Sequence, residues 1–330
     1  MTAPGLRCAL SRLLLLAVAL TLANPPATAQ QAPPVPVVGV LMIFRAPNDL
    51  FVPSVRKGLA DLGYVDGRNV RIEYRAAQGQ MDQLPRLANE LVEVGSRVIV
   101  AGAEPAARAA MQADSTIPIV IVLSDHDPVA AGLIESFSHP GDRVTGVFSR
   151  QSELVGKRLE LLKETLPGIS RVGVLWDSNS QRQLEQLAPA ARETGVQLVR
   201  IELRAPYDFV TAFRAAKKRR AEAVLVLFSP AFIQLRAKVA AAALKNQLPT
   251  VHQTLNETVA GGLMSYGPSE TKLFERSAYY IDRLLKGAKV NDLPVEQASE
   301  FRLVINLKTA KALGITIPES VLLRADEVIR

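Results

Sequence analysis

One short stretch of the chain brings together side chains that could carry acid–base chemistry or hold a metal ion. Residues 124–127 read Ser-Asp-His-Asp and follow the apolar, strand-like run 117–123. Two carboxylates beside an imidazole could act as a base and the group that orients it, or as metal ligands. This stretch is therefore either an active site or the rim of a binding cleft.

The sequence lacks the partners that catalysis would need. The other histidines, His139 and His252, stand far from His126, and the three show no H-x-x-x-H or H-E-x-x-H spacing. The chain also has no G-x-S-x-G elbow, no phosphate-binding P-loop and no G-x-G-x-x-G after the first strand. We expect no enzyme, no metal site and no cofactor, and keep an enzyme using Asp125 and His126 as an alternative.

Residues 1–29 are predicted to be a cleavable signal peptide. Two arginines precede an eleven-residue apolar run at 13–23, which is too short to span a bilayer comfortably. Ala27-Thr28-Ala29 forms a small-residue site, with cleavage expected before Gln30. Cys8 lies before the apolar run, whereas a lipoprotein would carry its cysteine at the cleavage point. A buried N-terminal helix is the weaker alternative, and we predict export to the periplasm.

The composition excludes several classes of function for the mature chain. Cleavage removes the only cysteine, so no disulfide, thiolate nucleophile or cysteine-based metal site is available. Loss of Arg7 and Arg12 takes the formal net charge from +7 to +5, a modest surplus that does not indicate nucleic-acid binding. The basic run 217–220 is predicted to end a helix, or to contact a partner. No other apolar run approaches membrane-spanning length, so the mature chain should not span a membrane.

From residue 37 the chain alternates short β-branched runs with amphipathic stripes. One helical face within 82–94, for example, carries Leu84, Leu87, Ala88, Leu91 and Val92. The first half predicts strands at 37–44, 69–75, 97–102, 117–124 and 143–149, with helices near 49–62, 82–94, 104–113 and 128–137. After a helix at 153–166, the second half predicts strands at 171–178, 196–203, 223–229, 249–253 and 261–267. Its helices are expected at 182–194, 207–220, 231–246 and 270–286, and a strand and a short helix within 301–317.

This alternation predicts an α/β fold of two doubly wound parallel-sheet lobes joined by a hinge. The first lobe is expected to contain residues 35–149 plus about 268–290. The second is expected to contain residues 150–267 plus about 291–330. Ligands of open α/β sheets bind beyond the carboxyl ends of the strands, so two such lobes would form a cleft.

Four stretches carry a resemblance to a known family. They are "GYVDGRNVRIEYRAAQGQMDQLPRLANEL" (63–91), "DPVAAGLIESFSHPGDRVTGV" (127–147), "GGLMSYG" (261–267) and "LVINLKTAKALGITIPESVLLRADEVI" (303–329). Together they resemble the ABC-transporter substrate-binding protein family that includes aromatic amino-acid binders, over the whole mature chain. This family is a branch of the type I periplasmic binding proteins, which close two lobes around a small solute.

The resemblance implies a small-molecule ligand and delivery to an ABC permease with its cytoplasmic ATPase. We expect a monomer. An exported sensor that presents its solute to a receptor remains an alternative that the sequence does not separate from transport. Three stretches at the expected cleft depart from the family pattern, so the family's substrates do not transfer to this chain. They are "FRAPND" (44–49), His126 in "SDHDP" and "WDSNS" (176–180).

The loops after the strands of the first half supply ten candidate ligand contacts. Main-chain N–H groups where a helix opens at 102–104 would favour a ligand carboxylate. Asp127, before Pro128, is expected to cap a helix, while Asp125 and His126 either face the cleft or form a satisfied surface pair. The candidates are Phe44, Asn48, Gly102, Ala103, Glu104, Ser124, Asp125, His126, Thr145 and Phe148.

The second half supplies six more candidates: Trp176, Ser178, Asn179, Ser229, Ser265 and Tyr266. Trp176 is the only tryptophan, and it either fills the core or forms a stacking wall for the ligand. Tyr266 has the same alternatives, with a cleft hydrogen bond or a hinge role on the functional side. A bound amino acid with an aromatic or branched side chain would need donors for its carboxylate, and Asp125 or Asp177 for its ammonium.

Overall fold

The computed structural model of the protein describes residues 34–43, 51–124 and 127–330. The predicted signal peptide and the candidates Phe44, Asn48, Asp125 and His126 lie outside these residues. Pro36–Arg330 form one compact unit. Within the described residues, no helix is both long enough and apolar enough to cross a membrane.

The first lobe forms from the strand–helix units that the β-branched runs predict. Its elements are β1 (Val37–Met42), α1 (Phe51–Asp61), β2 (Arg71–Ala76), α2 (Leu84–Glu93), β3 (Ser96–Ala101), α3 (Glu104–Ala113), β4 (Ile119–Ser124) and β5 (Val144–Ser149). Four residues of the predicted stripe of α2 are buried, and Val92 is partly buried against the same core cluster, which confirms the inward face.

The second lobe repeats the pattern with additional short elements. It begins with α4 (Val155–Thr165), β6 (Arg171–Trp176), α5 (Gln181–Thr194), β7 (Gln197–Glu202), α6 (Phe209–Lys218) and β8 (Ala223–Val226). It continues with α7 (Pro230–Gln234), α8 (Arg236–Lys245), β9 (Thr250–His252), α9 (Leu255–Val259) and β10 (Met264–Pro268). The chain then forms α10 (Glu270–Leu285), β11 (Glu296–Gln297), β12 (Phe301–Asn306), α11 (Leu307–Ala312), α12 (Glu319–Leu322) and β13 (Glu327–Ile329).

Two sheets organise the protein, and both are dominated by parallel pairs. The first has the strand order β11-β5-β4-β3-β1-β2, with parallel pairing throughout. The second has the order β13-β12-β10-β9-β8-β6-β7, in which only the β10–β12 pair is antiparallel. Buried apolar clusters cover both faces of each sheet, as a doubly wound fold requires. The predicted fold class is confirmed.

The chain returns to the first lobe after β10, because α10 packs against α1 and the first sheet. The short strand β11 then pairs with β5, and β12 begins the return to the second sheet. The lobe boundaries expected from the sequence stay a prediction. Residues 291–330 are expected in the second lobe, and β11 within them pairs with the first sheet.

Two predicted helices differ from the structure. Residues 128–137 form turns and bends instead of a helix. Asp127 Oδ1 caps the first turn by accepting the N–H groups of Val129 and Ala130 at 3.0 and 3.2 Å, but Gly132 adopts a left-handed φ of 65° and ends it. The predicted helix 231–246 is divided at Leu235 into α7 and α8. The basic run 217–220 does end a helix, as expected, since Lys217 and Lys218 form the last turn of α6.

The chain passes between the two sheets three times, and the topology places every passage at the same edges. The first leaves the carboxyl end of β5 for α4, and the second leaves the carboxyl end of β10 for α10. The third leaves β11, which is parallel to β5, and enters β12, whose first residue Phe301 pairs with Pro268 at the end of β10. The carboxyl edges of the two sheets therefore meet at the three connections.

Arg158 of α4 joins two of these connections from inside the protein. This side chain is fully buried. Its Nε donates to Tyr266 O at 2.7 Å, and its other nitrogens donate to the main-chain and side-chain oxygens of Gln151. Gln151 lies in the first connection and Tyr266 lies just before the second. One guanidinium thus fixes the relative position of both, and these acceptors would otherwise be buried without partners.

Replacing Arg158 with Met should lower the free energy of unfolding by about 2–4 kcal/mol, because three buried acceptors lose their donors. Urea denaturation measures this change. The control is Arg182→Met on the exposed side of α5, expected within about 0.5 kcal/mol of the unaltered protein. Equal stability of the two variants would contradict the role assigned to Arg158.

Candidate ligand-binding site

The carboxyl edge of the first sheet combines a helix start with a tightly packed glycine. Gly102 lies under Met42, and a Cβ built at this glycine would be 2.1 Å from Met42 Sδ. Ala103 is extended and precedes α3, whose first-turn N–H groups have no acceptor within the helix. The Glu104 carboxylate forms an ion pair with Arg108 at 2.8 Å, one turn along the helix. This pairing directs the carboxylate along α3.

Arg150 joins the first connection to the turn that replaces the predicted helix. Its Nη2 donates to Asp127 Oδ2 and its Nη1 to Glu153 Oε1, both at 2.9 Å. The guanidinium also lies over the rings of Phe137 and Phe148, which stack with centroids 5.1 Å apart. Asp127 is thus a cap, as expected, but it caps a turn. Its second carboxylate oxygen, Oδ2, holds Arg150 in the first connection between the sheets.

Two candidates of the first lobe lie in its interior. Thr145 is fully buried and donates through Oγ1 to Leu293 O at 2.6 Å. Phe148 is buried against Phe137. Both side chains therefore support the carboxyl edge from inside in this conformation. Ser124 ends β4 beside Ser149 of β5.

Asp177 organises the carboxyl edge of the second sheet. This buried residue directly follows β6. Its Oδ1 accepts the main-chain N–H of Asn179 at 3.0 Å, and its Oδ2 accepts the hydroxyls of Ser229 at 2.6 Å and Tyr207 at 3.3 Å. The side chains of Asn179 and Ser180 also donate to this carboxylate, so Asp177 positions its neighbours in this structure, and the expected contact with a ligand ammonium stays a prediction.

The loops that Asp177 holds present both candidate and unexpected side chains. Ser178 and Asn179 are exposed, whereas Ser229, which donates to Asp177, is buried. Gln183 of α5 fixes the next loop, since its Nε2 donates to Phe228 O at 3.1 Å and its Oε1 accepts Phe228 N at 2.9 Å. Sequence reasoning missed Gln183 and Tyr207, whose roles arise only from tertiary contacts.

Trp176 and Tyr266 occupy one row across the edge of the second sheet. The register pairs Leu175 with Val226 and Ser265 with His252. Trp176 and Tyr266 each follow one of these paired residues, so they lie one residue closer to the carboxyl ends of their strands. Both are half-buried against the same core cluster, and Tyr266 stacks on Phe301 with ring centroids 6.1 Å apart. The adjacent Ser265 is buried. These two aromatic rings form the apolar side of the candidate site.

A buried polar cluster supports the β9 end of this edge. His252 Nδ1 lies 3.3 Å from Glu257 Oε1, and its Nε2 lies 2.8 Å from Thr250 Oγ1. Glu257 Oε2 accepts the N–H groups of Gln253 and Thr254 at 3.3 and 3.1 Å. Burial alone would raise the pKa of Glu257, but His252 and these N–H groups outweigh it and lower the pKa. The T-x-x-E spacing at 254–257 is a capping-box signal that the sequence analysis missed.

The described residues contain no group of three or more His, Cys, Asp or Glu side chains arranged to hold a metal ion. What the edges offer is a helix start, hydroxyls and amides fixed by buried carboxylates, and aromatic walls. Such an arrangement can hold an amphipathic small molecule.

Asp177→Asn should lower the pKa of Tyr207. Burial and the Asp177 carboxylate both raise this pKa above 10.0, and the variant removes the charge. Ultraviolet titration of Asp177→Asn against the double variant with Tyr207→Phe isolates the phenol. A Tyr207 pKa unchanged by the variant would show that the carboxylate does not act on this hydroxyl.

Glu257→Gln should destabilise the protein most at neutral pH. The pKa of Glu257 is lower in the folded protein than its ordinary value of 4.5. The carboxylate therefore stabilises the folded protein fully at pH values above that ordinary pKa, and this contribution is lost as the pH falls through the folded pKa. The variant should therefore be about 1–3 kcal/mol less stable at pH 7, with a smaller difference at pH 3. Urea denaturation at both pH values measures it, and a difference that does not shrink in acid contradicts the assignment.

Solved structures and a characterised relative are similar to this chain over most of its length. A conserved domain protein of Vibrio cholerae is 29% identical, with a TM-score of 0.80, over 89% of this chain and 99% of its own. An ABC domain of Streptococcus pneumoniae in complex with L-Trp is 28% identical, with a TM-score of 0.79, over the same shares. A ligand-free, open substrate-binding protein of Clostridium difficile is 26% identical, with a TM-score of 0.68, again over 89% and 99%.

The tyrosine-binding protein of Clostridioides difficile is 29% identical over 285 residues, which are 84% of this chain and 81% of that protein. The family model of the ABC transporter substrate binding proteins matches residues 38–329, which include both sheets and all three connections. The resemblance found in the sequence is thus confirmed, and a transport component of this kind is not an enzyme. The chain belongs to the ABC transporter substrate binding protein family.

Proposed function

We propose that this protein binds an amino acid with an aromatic side chain in the cleft between its lobes, outside the cytoplasm, and delivers it to the permease of an ABC importer. One observation carries the proposal: all three connections join the carboxyl edges of the two sheets. Loops that bind ligands in α/β folds leave from these edges. A solute between them would contact both lobes and favour their closure.

The aromatic and polar groups at the edge of the second sheet support this choice of ligand. Trp176 and Tyr266 supply apolar ring surface, while Asn179 and Tyr207 supply polar groups held by Asp177. The relatives bear on the same point, since one was solved with L-Trp and another is a tyrosine-binding protein. An amphipathic molecule with an aromatic ring and charged ends fits such a lining.

The similarity to solved structures also supports a closed arrangement of the two lobes in this protein. At nearly equal identity, the likeness is greater to the complex with L-Trp, at 0.79, than to the ligand-free, open structure, at 0.68. Two rigid lobes held at a different angle would lower the score in this way. Hinge closure around a ligand is the ordinary motion of periplasmic binding proteins.

Export rests on the segment before the first strand. Residues 1–29 combine a basic start, a short apolar run and a small-residue cleavage site. A periplasmic solute-binding protein needs such a signal, and a membrane-embedded partner must then receive the solute. We therefore place the protein in the periplasm, as a monomer with an ABC permease as its partner.

Thermal unfolding with a panel of solutes tests the proposed ligand class. A ligand present at 100 times its dissociation constant stabilises the protein by about 2.7 kcal/mol, so L-Trp, L-Tyr or L-Phe should raise the melting temperature by several degrees. D-glucose, D-ribose and L-lysine serve as controls. A shift with a control solute and none with any aromatic amino acid would overturn the proposal.

A further inference from the structure

Two buried polar atoms at the carboxyl edge of the second sheet have no hydrogen-bond partner among the described residues. They are the indole nitrogen Nε1 of Trp176 and the amide oxygen Oε1 of Gln253. Gln253 is only 1% exposed, and Trp176 is half-buried. Leaving such groups unpaired costs stability, so each is expected to meet a partner when the protein functions.

Gln253 has its amide orientation fixed by the end of the β8–β9 ladder. Continuing the parallel register would bring the main-chain N–H of Gln253 to Val226 O. That N–H donates instead to Glu257 Oε2 at 3.3 Å, and the side-chain Nε2 of Gln253 donates to Val226 O in its place. Because a carbonyl oxygen only accepts, the amide cannot be reversed. Oε1 is therefore an acceptor that points away from the ladder and needs a donor.

Trp176 has the opposite requirement, because an indole N–H only donates. The register places Trp176, Leu227, Gln253 and Tyr266 in one row on successive strands β6, β8, β9 and β10. The main chains of Trp176 and Gln253 are two strand spacings apart, or about 10 Å. Leu227, between them, is fully buried. The register thus places a donor and an acceptor in one row, two strands apart, with the apolar Leu227 on the strand between them.

We propose that Gln253 Oε1 accepts the α-ammonium group of the bound amino acid and that Trp176 Nε1 donates to its α-carboxylate. This assignment rests on the proposed function. A zwitterion has one end that only donates and one that only accepts, and these match the two protein atoms one to one. A sugar hydroxyl could bond to either atom and would leave their opposite roles unused. Both bonds are charge-assisted, which makes them stronger than neutral ones.

Each variant should lose affinity only for ligands that carry the charged group bound by the missing protein atom. Gln253→Met removes the acceptor and should weaken L-tyrosine binding at least tenfold, while N-acetyl-L-tyrosine, which lacks the ammonium, binds the variant and the unaltered protein within twofold. Trp176→Phe removes the donor and keeps an aromatic ring. It should weaken L-tyrosine binding at least tenfold and leave L-tyrosinamide, which lacks the carboxylate, within twofold. Tenfold corresponds to about 1.4 kcal/mol.

Isothermal titration calorimetry of the full panel measures these ratios, with the exposed Gln181→Met as the matched control that binds every ligand like the unaltered protein. If both variants bind L-tyrosine like the unaltered protein, the assignment fails and the proposed function stands. If the two variants lose affinity equally for the intact and the blocked ligands, their effect is structural and the assignment fails. If the unaltered protein binds no aromatic amino acid, the proposed function fails and the assignment fails with it.

A measurement on the unaltered protein covers the case in which a variant does not fold. Because Trp176 is the only tryptophan, the ¹⁵N-labelled protein gives a single indole N–H resonance. A new charge-assisted hydrogen bond to a carboxylate should move its proton downfield with L-tyrosine, and L-tyrosinamide should not reproduce this shift. Equal shifts with both ligands would contradict the role assigned to the indole.

Discussion

The buried contacts of Arg158 are the constraint on which the arrangement of the two lobes depends. A charged side chain is costly to bury unless its donors are used, and this guanidinium uses them on main-chain and side-chain oxygens of two connections. Because both connections leave carboxyl edges, fixing them also fixes which loops face one another. The geometry of the connections and the position of the loops at the carboxyl edges are thereby linked through a single residue.

Buried carboxylates shape the carboxyl edge of the second sheet. Asp177 is saturated by the N–H and hydroxyl groups of its own loop and of Ser229 and Tyr207. Glu257 plays the same part for the main chain of Gln253 and Thr254. Each carboxylate fixes the direction in which neighbouring hydroxyls and amides point. A rigid polar lining loses less entropy when a ligand binds, which favours affinity and selectivity.

Hydrophobic periodicity was sufficient to predict the architecture, because both sheets are buried on two faces and their strands read as continuous β-branched runs. The failure at residues 128–137 has a local cause, since Gly132 adopts a left-handed φ of 65° and ends the single turn that Asp127 caps. Tyr207, Gln183 and Gln253 were not predictable as site residues, because their roles depend on partners far away in sequence. Asp177 was predicted at the carboxyl edge, but its part in holding Ser229 and Tyr207 was not predictable, because these donors are far away in sequence.

A bound solute should bring the two lobes together at their carboxyl edges. Distance measurement by pulsed electron paramagnetic resonance tests it directly, with spin labels on Gln112→Cys of α3 and Arg182→Cys of α5, both exposed. The single natural cysteine, Cys8, precedes the described residues and belongs to the predicted signal peptide, so the labels can be placed cleanly. The account predicts that saturating L-tyrosine shifts the distance distribution to one shorter, narrower peak. If no bound solute changes the distance distribution, closure of the lobes around a ligand is contradicted.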